Sequence, residues 1–453
     1  MSGTASPSTE PTASEPLDAP ILPTSKAVRR SLSGAAVLSI QPLLLNALSV
    51  PAMAYIIHQL GAVGYAQWMT AVSVLTVLTV VTNLGLRPAF VRTVASDPSL
   101  AGAALADQLG LRLTLAGLAG LIAILACALL GYSSMVIGSA TLGAVGLLLT
   151  SLATTLSDLL QGLQKLKTIA TANLVAGLVL TALSVLVAAL DLGPVSMAAA
   201  YVAGPLNSTL VLGAAARRAV GRVHAAWRPA MFRRLLGQSR FLAAHQLLFA
   251  GSAHAEALML PKLLGMSPFG VFAAGATLGQ RLIALPDALC AAAYPVLVKA
   301  WRQGPQEWAA AMWRYLAIGL GTGIAVALVC TALAAPLGRL LLPVEAAWFA
   351  YVVRITIWSV PLIAAELVLG YSLVAAGRDA AQAKLAAPSA GLCLLLSIVL
   401  VTTFGLEGAC WSMAVRPAIR ALFLASIMRR VLTSTHHAVL NPACQPGALG
   451  KAA

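Results

Sequence analysis

The sequence predicts an all-α polytopic membrane protein, with about twelve transmembrane helices in two pseudo-symmetric six-helix bundles around a central cavity. Three observations carry that expectation. Apolar stretches of bilayer length recur from Ala35 to Ile427, Lys and Arg fall almost entirely in every second gap between them, and landmarks of the first half return in order in the second. A helix crosses a hydrocarbon layer of about 30 Å in roughly 20 residues. Where no water can pair with the backbone, each apolar stretch has to satisfy its own amides, which a helix does.

Composition excludes the main alternatives. Hydrophobic residues make up 59% of the 453-residue chain and charged residues only 9%, too little for a solvated globular surface. The formal net charge of +15 would suggest nucleic acid in a soluble protein. In a polytopic one it belongs to loops that meet anionic headgroups, so membrane lipids are the expected partner and nucleic acid is not. Five of the six cysteines, Cys127, Cys290, Cys330, Cys393 and Cys410, sit inside apolar stretches, and with Cys444 they form no CxxC pair. Neither a disulfide framework nor a metal site is indicated, and no cofactor is expected.

Element by element, residues 1–33 are expected to form a cytoplasmic tail, whose first 25 residues are rich in Ser, Thr, Pro and Glu and should be disordered. Lys26, Arg29 and Arg30 then hold the start of a retained first helix inside. Helices are predicted at 34–57, 67–88, 104–130, 135–157, 168–190 and 195–215, forming a first bundle over 34–216. A basic linker at 217–237 leads to a second bundle over 238–430, with helices at 238–261, 269–297, 310–335, 350–376, 383–403 and 407–427. A cytoplasmic tail, 431–453, closes the chain.

The basic residues fit both termini inside. Arg87, Arg92 and Arg112 are assigned to the gap after helix 2, Lys165 and Lys167 to that after helix 4, and seven arginines from Arg217 to Arg240 to the central connection. Lys299, Arg302 and Arg314 follow helix 8, Arg378 and Lys384 follow helix 10, and Arg416, Arg420, Arg429, Arg430 and Lys451 close the set. Only Lys262, Arg281, Arg339 and Arg354 fall outside this scheme. The opposite loops are too short for a folded domain. Leu60-Gly61 returns as Leu264-Gly265, 204 residues later, and Leu192-Gly193-Pro194 as Phe404-Gly405-Leu406. Gln161-Gly162 is matched with Ala376-Gly377, so duplication about an axis along the membrane normal is expected.

The run Leu60-Gly61-Ala62-Val63-Gly64-Tyr65-Ala66-Gln67-Trp68, leading to Asn83-Leu84-Gly85-Leu86-Arg87-Pro88-Ala89-Phe90-Val91-Arg92, resembles the opening of the bacterial polysaccharide biosynthesis proteins. These are also called O-antigen or lipid-linked oligosaccharide flippases, of the multidrug/oligosaccharidyl-lipid/polysaccharide exporter superfamily. Leu264-Gly265 through Phe269-Gly270-Val271-Phe272-Ala273, Tyr294-Pro295, Ala376-Gly377-Arg378 and Phe404-Gly405-Leu406-Glu407-Gly408-Ala409 are similar to later parts of the family pattern. The resemblance spans nearly all of 34–430; Ala66 stands where the family commonly has Gly, and Glu256 where many relatives have Asp. It implies a bacterial inner-membrane transporter that flips a polyprenyl-pyrophosphate-linked oligosaccharide to the periplasmic leaflet by alternating access of its two halves. A polysaccharide polymerase and a chain-length regulator are further partners in that setting.

A cavity for sugar and pyrophosphate needs polar groups inside the membrane, where a central charge costs about 2.5–3.5 kcal/mol on the insertion scale. On helix 2, Ser73, Thr76, Thr79, Asn83 and Arg87 fall on one face at about 100° per residue, and with Arg92 they are candidate cavity residues. Each hydroxyl can instead pair with the preceding turn of its own helix. On helix 7, His245, Ser252 and Glu256 share a face, so His245 and Glu256 are candidates for ion coupling, with Glu366 and Asp287 beside them. Arg281 is the sharpest single residue. It lies near the middle of helix 8 and keeps its charge, so it needs an anion: Glu256, Glu366, Asp287 or a pyrophosphate gripped bidentately. Gln41, Asn46 and Asn207 could bond sugar hydroxyls or glue helices together.

No Walker loop is present, and the chain is not expected to be an enzyme. A cation-coupled multidrug exporter of the same superfamily is the alternative, weakened because Glu256, Asp287 and Glu366 all lie in the second half. A glycan polymerase or ligase would need acid/base groups on a substantial outer loop, where only Glu345, Asp191 and His58 stand.

Overall fold

Glycine and proline mark several of the joints at which this apolar chain bends or reverses. The computed structural model describes residues 25–83, 86–228, 232 and 246–440, with side chains throughout except at 25–40, 42–43, 88–89, 291–292, 295, 379–380, 383 and 433–440. The expected disordered start of the tail, His245, and Arg233, Arg234, Arg240 and Lys451 lie outside the described residues.

Predicted helices 1 and 2 are one folded-back element, α1 (Ser25–Asn83), reversed at Gly61 alone rather than across a loop. Gly61 adopts φ 61° and ψ −178°, a region open essentially to glycine. Helix 2 ends at Asn83, and Arg87 opens a separate short helix, α2 (Arg87–Ser96), with Pro88 in its first turn. That corrects the predicted helix end at 88, since proline lacks the amide an interior position would use but is well suited to a first turn. Asp97 then caps the 3-10 turn Pro98–Leu100, taking hydrogen bonds from the Ser99 hydroxyl at 2.6 Å and amide at 2.9 Å. Those two donors hold its carboxyl below the ordinary range.

The first half continues through α3 (Ala101–Leu129), α4 (Ser134–Gly162), α5 (Leu166–Ala189) and α6 (Gly193–Val220). In the second half, α7 (246–253) and α8 (Ala255–Leu263) flank a bend at His254. Predicted helix 8 divides into α9 (Met266–Leu282) and α10 (Ala284–Gln303), and predicted helix 10 into α12 (Ala346–Thr356) and α13 (Ser359–Ala375). Pro286 and Pro361 explain both breaks, since neither can donate to the carbonyl four residues back. Between them α11 (Pro305–Leu341) is continuous, and α14 (Asp379–Leu440) turns at Gly405, merging predicted helices 11 and 12.

With α1 and α14 counted as two rods each, α7–α8, α9–α10 and α12–α13 as one each, and the short α2 left aside, the described residues form twelve. Among the described residues, eight stretches, two of them turned at a glycine and one broken between α12 and α13, are long and apolar enough by length and composition to cross a membrane. Large apolar side chains face outward, as at Leu129 and Leu422, exposed by 86% and 70%. Much of the interior is alanine, glycine and serine, which lets helices approach closely where lipid supplies no hydrophobic drive between them.

The cores are unevenly shared. At the Gly61 end one cluster joins both halves, with Ile57, Tyr65 and Met197 packed with Leu260, Phe269 and Phe349. Towards the Arg87 end each half keeps its own core, Phe90, Leu159, Leu160 and Leu212 in the first and Leu297, Trp308, Leu373 and Ile427 in the second. The halves are therefore fused at one end and packed separately at the other.

Candidate functional site

Beneath the shared core lies a cavity of about 600 Å³ between the halves. The first half contributes Met53, Trp68, Ser73 and Thr76 from α1, Ser184 from α5 and Tyr201 from α6; the second contributes Glu256, Phe272, Thr277, Gln280, Arg281 and Arg416. Its roof is a cross-half hydrogen bond, the Tyr65 hydroxyl donating to Thr277 Oγ1 at 3.1 Å. Nearby, Lys262 donates to the Leu130 carbonyl and stands 4.0 Å from the centre of the Tyr132 ring, tying α8 to the α3–α4 turn.

Arg281 faces this cavity, half-buried, and its Nη1 donates to Asn46 Oδ1 at 3.4 Å. Of the anions open to it, a carboxylate or a pyrophosphate, no carboxylate among the described residues lies within 4 Å of its guanidinium. The carboxylates named as its partners are engaged or distant. Glu256 accepts from the Ser412 hydroxyl at 2.6 Å and pairs with Arg416 at 3.1 Å, and Arg416 also donates to the Ser252 carbonyl. Glu366 pairs with Arg420 at 2.9 Å and lines a small side pocket of about 140 Å³ rather than the central cavity. Asp287 is exposed and lines a chamber of about 440 Å³ in the second half, with His254, Arg416 and Arg420. The central cavity thus carries Glu256 against Arg281 and Arg416, an excess of positive charge. In a low-dielectric interior such an excess attracts anions strongly.

The helix 2 stripe divides. Ser73 and Thr76 line the cavity, though the Thr76 hydroxyl donates to the Val72 carbonyl at 2.7 Å. Thr79 lines a smaller pocket and also bonds back within its helix, at 2.9 Å to Leu75. Asn83 donates to the Thr79 carbonyl at 3.3 Å and reaches neither large cavity, because α1 ends there and the chain turns into α2. Arg92 is exposed on α2, off the cavities, since the helix beginning at Arg87 points that face outward. Arg87 lies at the mouth of a second chamber in the first half, pairing with Asp158 at 3.1 Å and donating to Gln161 at 2.7 Å.

Three arginines counted as loop charges are inside the bundle. Arg112 is 1% exposed and donates to Asp158 at 2.8 Å and to Thr155 at 3.2 Å. Arg416 and Arg420 sit within α14 beside Glu256 and Glu366. The signal was available: Arg112 lies in predicted helix 3 and the other two in predicted helix 12, and a charge in an apolar run needs a partner. Asp158, one residue beyond predicted helix 4, is that partner for Arg112. Among the described residues, no three His, Cys, Asp or Glu side chains come together as a metal site.

The sequence profile of a family described as "Polysaccharide biosynthesis protein" matches residues 31–301. None of the curated proteins matches the chain. Several solved structures share its fold at low identity. A multidrug resistance MATE family transporter of the MOP superfamily, in an inward-facing conformation, superposes with a TM-score of 0.66 at 15% identity, over 88% of this chain and 99% of that one. An outward-facing structure of the same description gives 0.59 at 16% identity, over 91% and 100%. The lipid II flippase MurJ, in an inward closed conformation, gives 0.67 at 11% identity, over 87% of each chain.

Proposed function

This chain belongs to the polysaccharide biosynthesis protein family, and from that membership we propose that it flips a polyprenyl-pyrophosphate-linked oligosaccharide across a bacterial inner membrane by alternating access. The fold is that of MOP-superfamily transporters, and the direction proposed is from the cytoplasmic to the periplasmic leaflet, with both termini cytoplasmic. Arg281 carries the reading. It is a permanent cation facing a cavity between the halves, and its nearest partner is the neutral amide of Asn46. An amide at 3.4 Å leaves the guanidinium fork available, and a pyrophosphate fills that fork with two parallel charge-assisted bonds. The apolar lining around it, Leu45, Ile56, Val72 and Phe272, suits the start of the prenyl chain, whose remainder stays in lipid between helices.

Charge weighs against the multidrug exporter reading. A cationic drug in the central cavity needs an uncompensated acid there, whereas Glu256, the acid that lines it, is already paired with Arg416. A cavity with excess positive charge repels such a cargo.

Arg281→Ala should leave the protein inserted in the membrane and lower flipping of lipid-linked sugar about tenfold or more, the order of one lost charge-assisted interaction. Arg281→Lys, which keeps charge without the fork, should fall between. The measurement is the fraction of lipid-linked sugar reachable by a glycosidase added to spheroplasts, with surface glycan as a second readout. Normal surface glycan in the alanine variant would remove Arg281 from the mechanism and this reading with it.

A further inference from the structure

Beside the central cavity, enclosed by α1, α4, α5 and α6, lies a first-half chamber of about 570 Å³. That is within the range of roughly 300–1,000 Å³ in which proteins hold small-molecule ligands. Its lining is rich in neutral polar groups. Gln41, Ser157, Gln161, Asn173 and Ser208 present neutral amides and hydroxyls, and the charged lining residues among those described are Arg87 and Asp158, whose carboxylate also pairs with the buried Arg112. Gln41, Ser157 and Asn173 make no hydrogen bond to other described residues, so their donors and acceptors remain for whatever enters. The corresponding second-half chamber carries more charge, lined by His254, Asp287, Arg416 and Arg420 beside the neutral Gln280 and Ser359.

The two cavities adjoin. Leu45, Gly177, Leu180 and Tyr201 line both, and Asn46, which holds Arg281, directly follows Leu45. An anion on Arg281 sits in the cavity that adjoins the polar chamber, with Tyr201 at the junction.

We infer that the first-half chamber is the sugar subsite: it receives the uncharged, hydroxyl- and acetamido-bearing sugars nearest the pyrophosphate, while Arg281 holds the pyrophosphate itself. This rests on the flippase reading above and adds which half reads the sugar and by what chemistry. Amides and hydroxyls with unused hydrogen-bonding capacity match a polyol.

The test uses the full chain purified into lipid nanodiscs and two probes, undecaprenyl pyrophosphate and undecaprenyl-pyrophosphoryl-N-acetylglucosamine. The unsubstituted protein should bind the sugar-bearing probe more tightly, and Asn173→Leu should reduce the ratio of the two affinities about tenfold, the order of one or two lost hydrogen bonds. Ser157→Ala, a smaller change, should reduce the same ratio about threefold and serves if the leucine variant does not purify folded. An unchanged ratio in both variants, or no preference for the sugar in the unsubstituted protein, overturns the subsite while leaving pyrophosphate binding intact. Failure of the unsubstituted protein to bind either probe overturns the flippase reading itself.

Discussion

Asp158 holds the buried polar interior of the first half together. It is 1% exposed and lies between Arg112 of α3 and Arg87 of α2, so one carboxylate joins three helices. Removing one partner of a buried pair leaves an uncompensated charge, which costs about 3–5 kcal/mol. Asp158→Ala should therefore lower the thermal unfolding midpoint in detergent sharply, because Arg112 cannot shed its charge. Replacing both residues, Arg112→Leu with Asp158→Leu, should recover most of the loss, since a well-packed apolar pair of similar volume is often neutral or better. A single variant as stable as the parent would show that Arg112 finds another acceptor. At this scale the sequence was only partly legible. Glu256 and Arg281 stood out as polar residues in apolar runs, but Arg112, Arg416 and Arg420 were absorbed into the orientation rule. Counting basic residues by gap hides those that lie inside helices and answer buried acids.

At the scale of elements, hydropathy found the spans but not their joints. It left residues 58–66 as a gap where one glycine suffices, because a window of apolar residues cannot register a reversal made at a single φ. Gly61 and Gly265 share that geometry, φ 61° and 91° with ψ near 180°, at the residues matched by the 204-residue repeat. This region differs from the left-handed helical one that asparagine tolerates. Gly61→Ala and Gly61→Asn should therefore destabilise alike, by about 1–3 kcal/mol each, although no side-chain or backbone atom crowds the position. Parallel thermal unfolding of the two variants decides it, and an asparagine variant matching the parent would mean that the turn relaxes into the left-handed helical region. Gly193 and Gly405, a second matched pair, both have positive φ, 79° and 55°, but the third pair misled. Gly377 has φ 67°, but its first-half equivalent in the turn between α4 and α5 is Gln164 at φ 56°, not Gly162, which is still helical. Composition marked the turn and missed its residue by two.

For the molecule as a whole, charge alternation and hydropathy anticipate a twelve-helix bundle with a cavity, but not which end is shut. That depends on which small residues meet across the halves, and no periodicity encodes it. The closure is concentrated at Gly270, where a Cβ would stand 1.8 Å from the Ala62 carbonyl oxygen, backbone against backbone. Neither partner can rotate away, so a side chain there has to separate α9 from α1. The Tyr65–Thr277 hydrogen bond and the Lys262 contacts lie on the same seam and would break with it. Because each half keeps its own core at the Arg87 end, separation at the Gly61 end exposes one shared cluster without unfolding either bundle. Gly270→Leu should then shift the population towards a state open at the Gly61 end, by about tenfold if the added side chain disfavours closure by about 1.4 kcal/mol. The check is maleimide labelling of Thr76→Cys, a cavity residue, in a chain whose six native cysteines are replaced. With a membrane-impermeant reagent applied from the Gly61 face, the parent should be protected and the Gly270→Leu chain reactive, with folding checked by size-exclusion. Labelling that stays low from that face would mean the seam accommodates leucine without parting, and the two bundles would then not move as independent bodies about this contact.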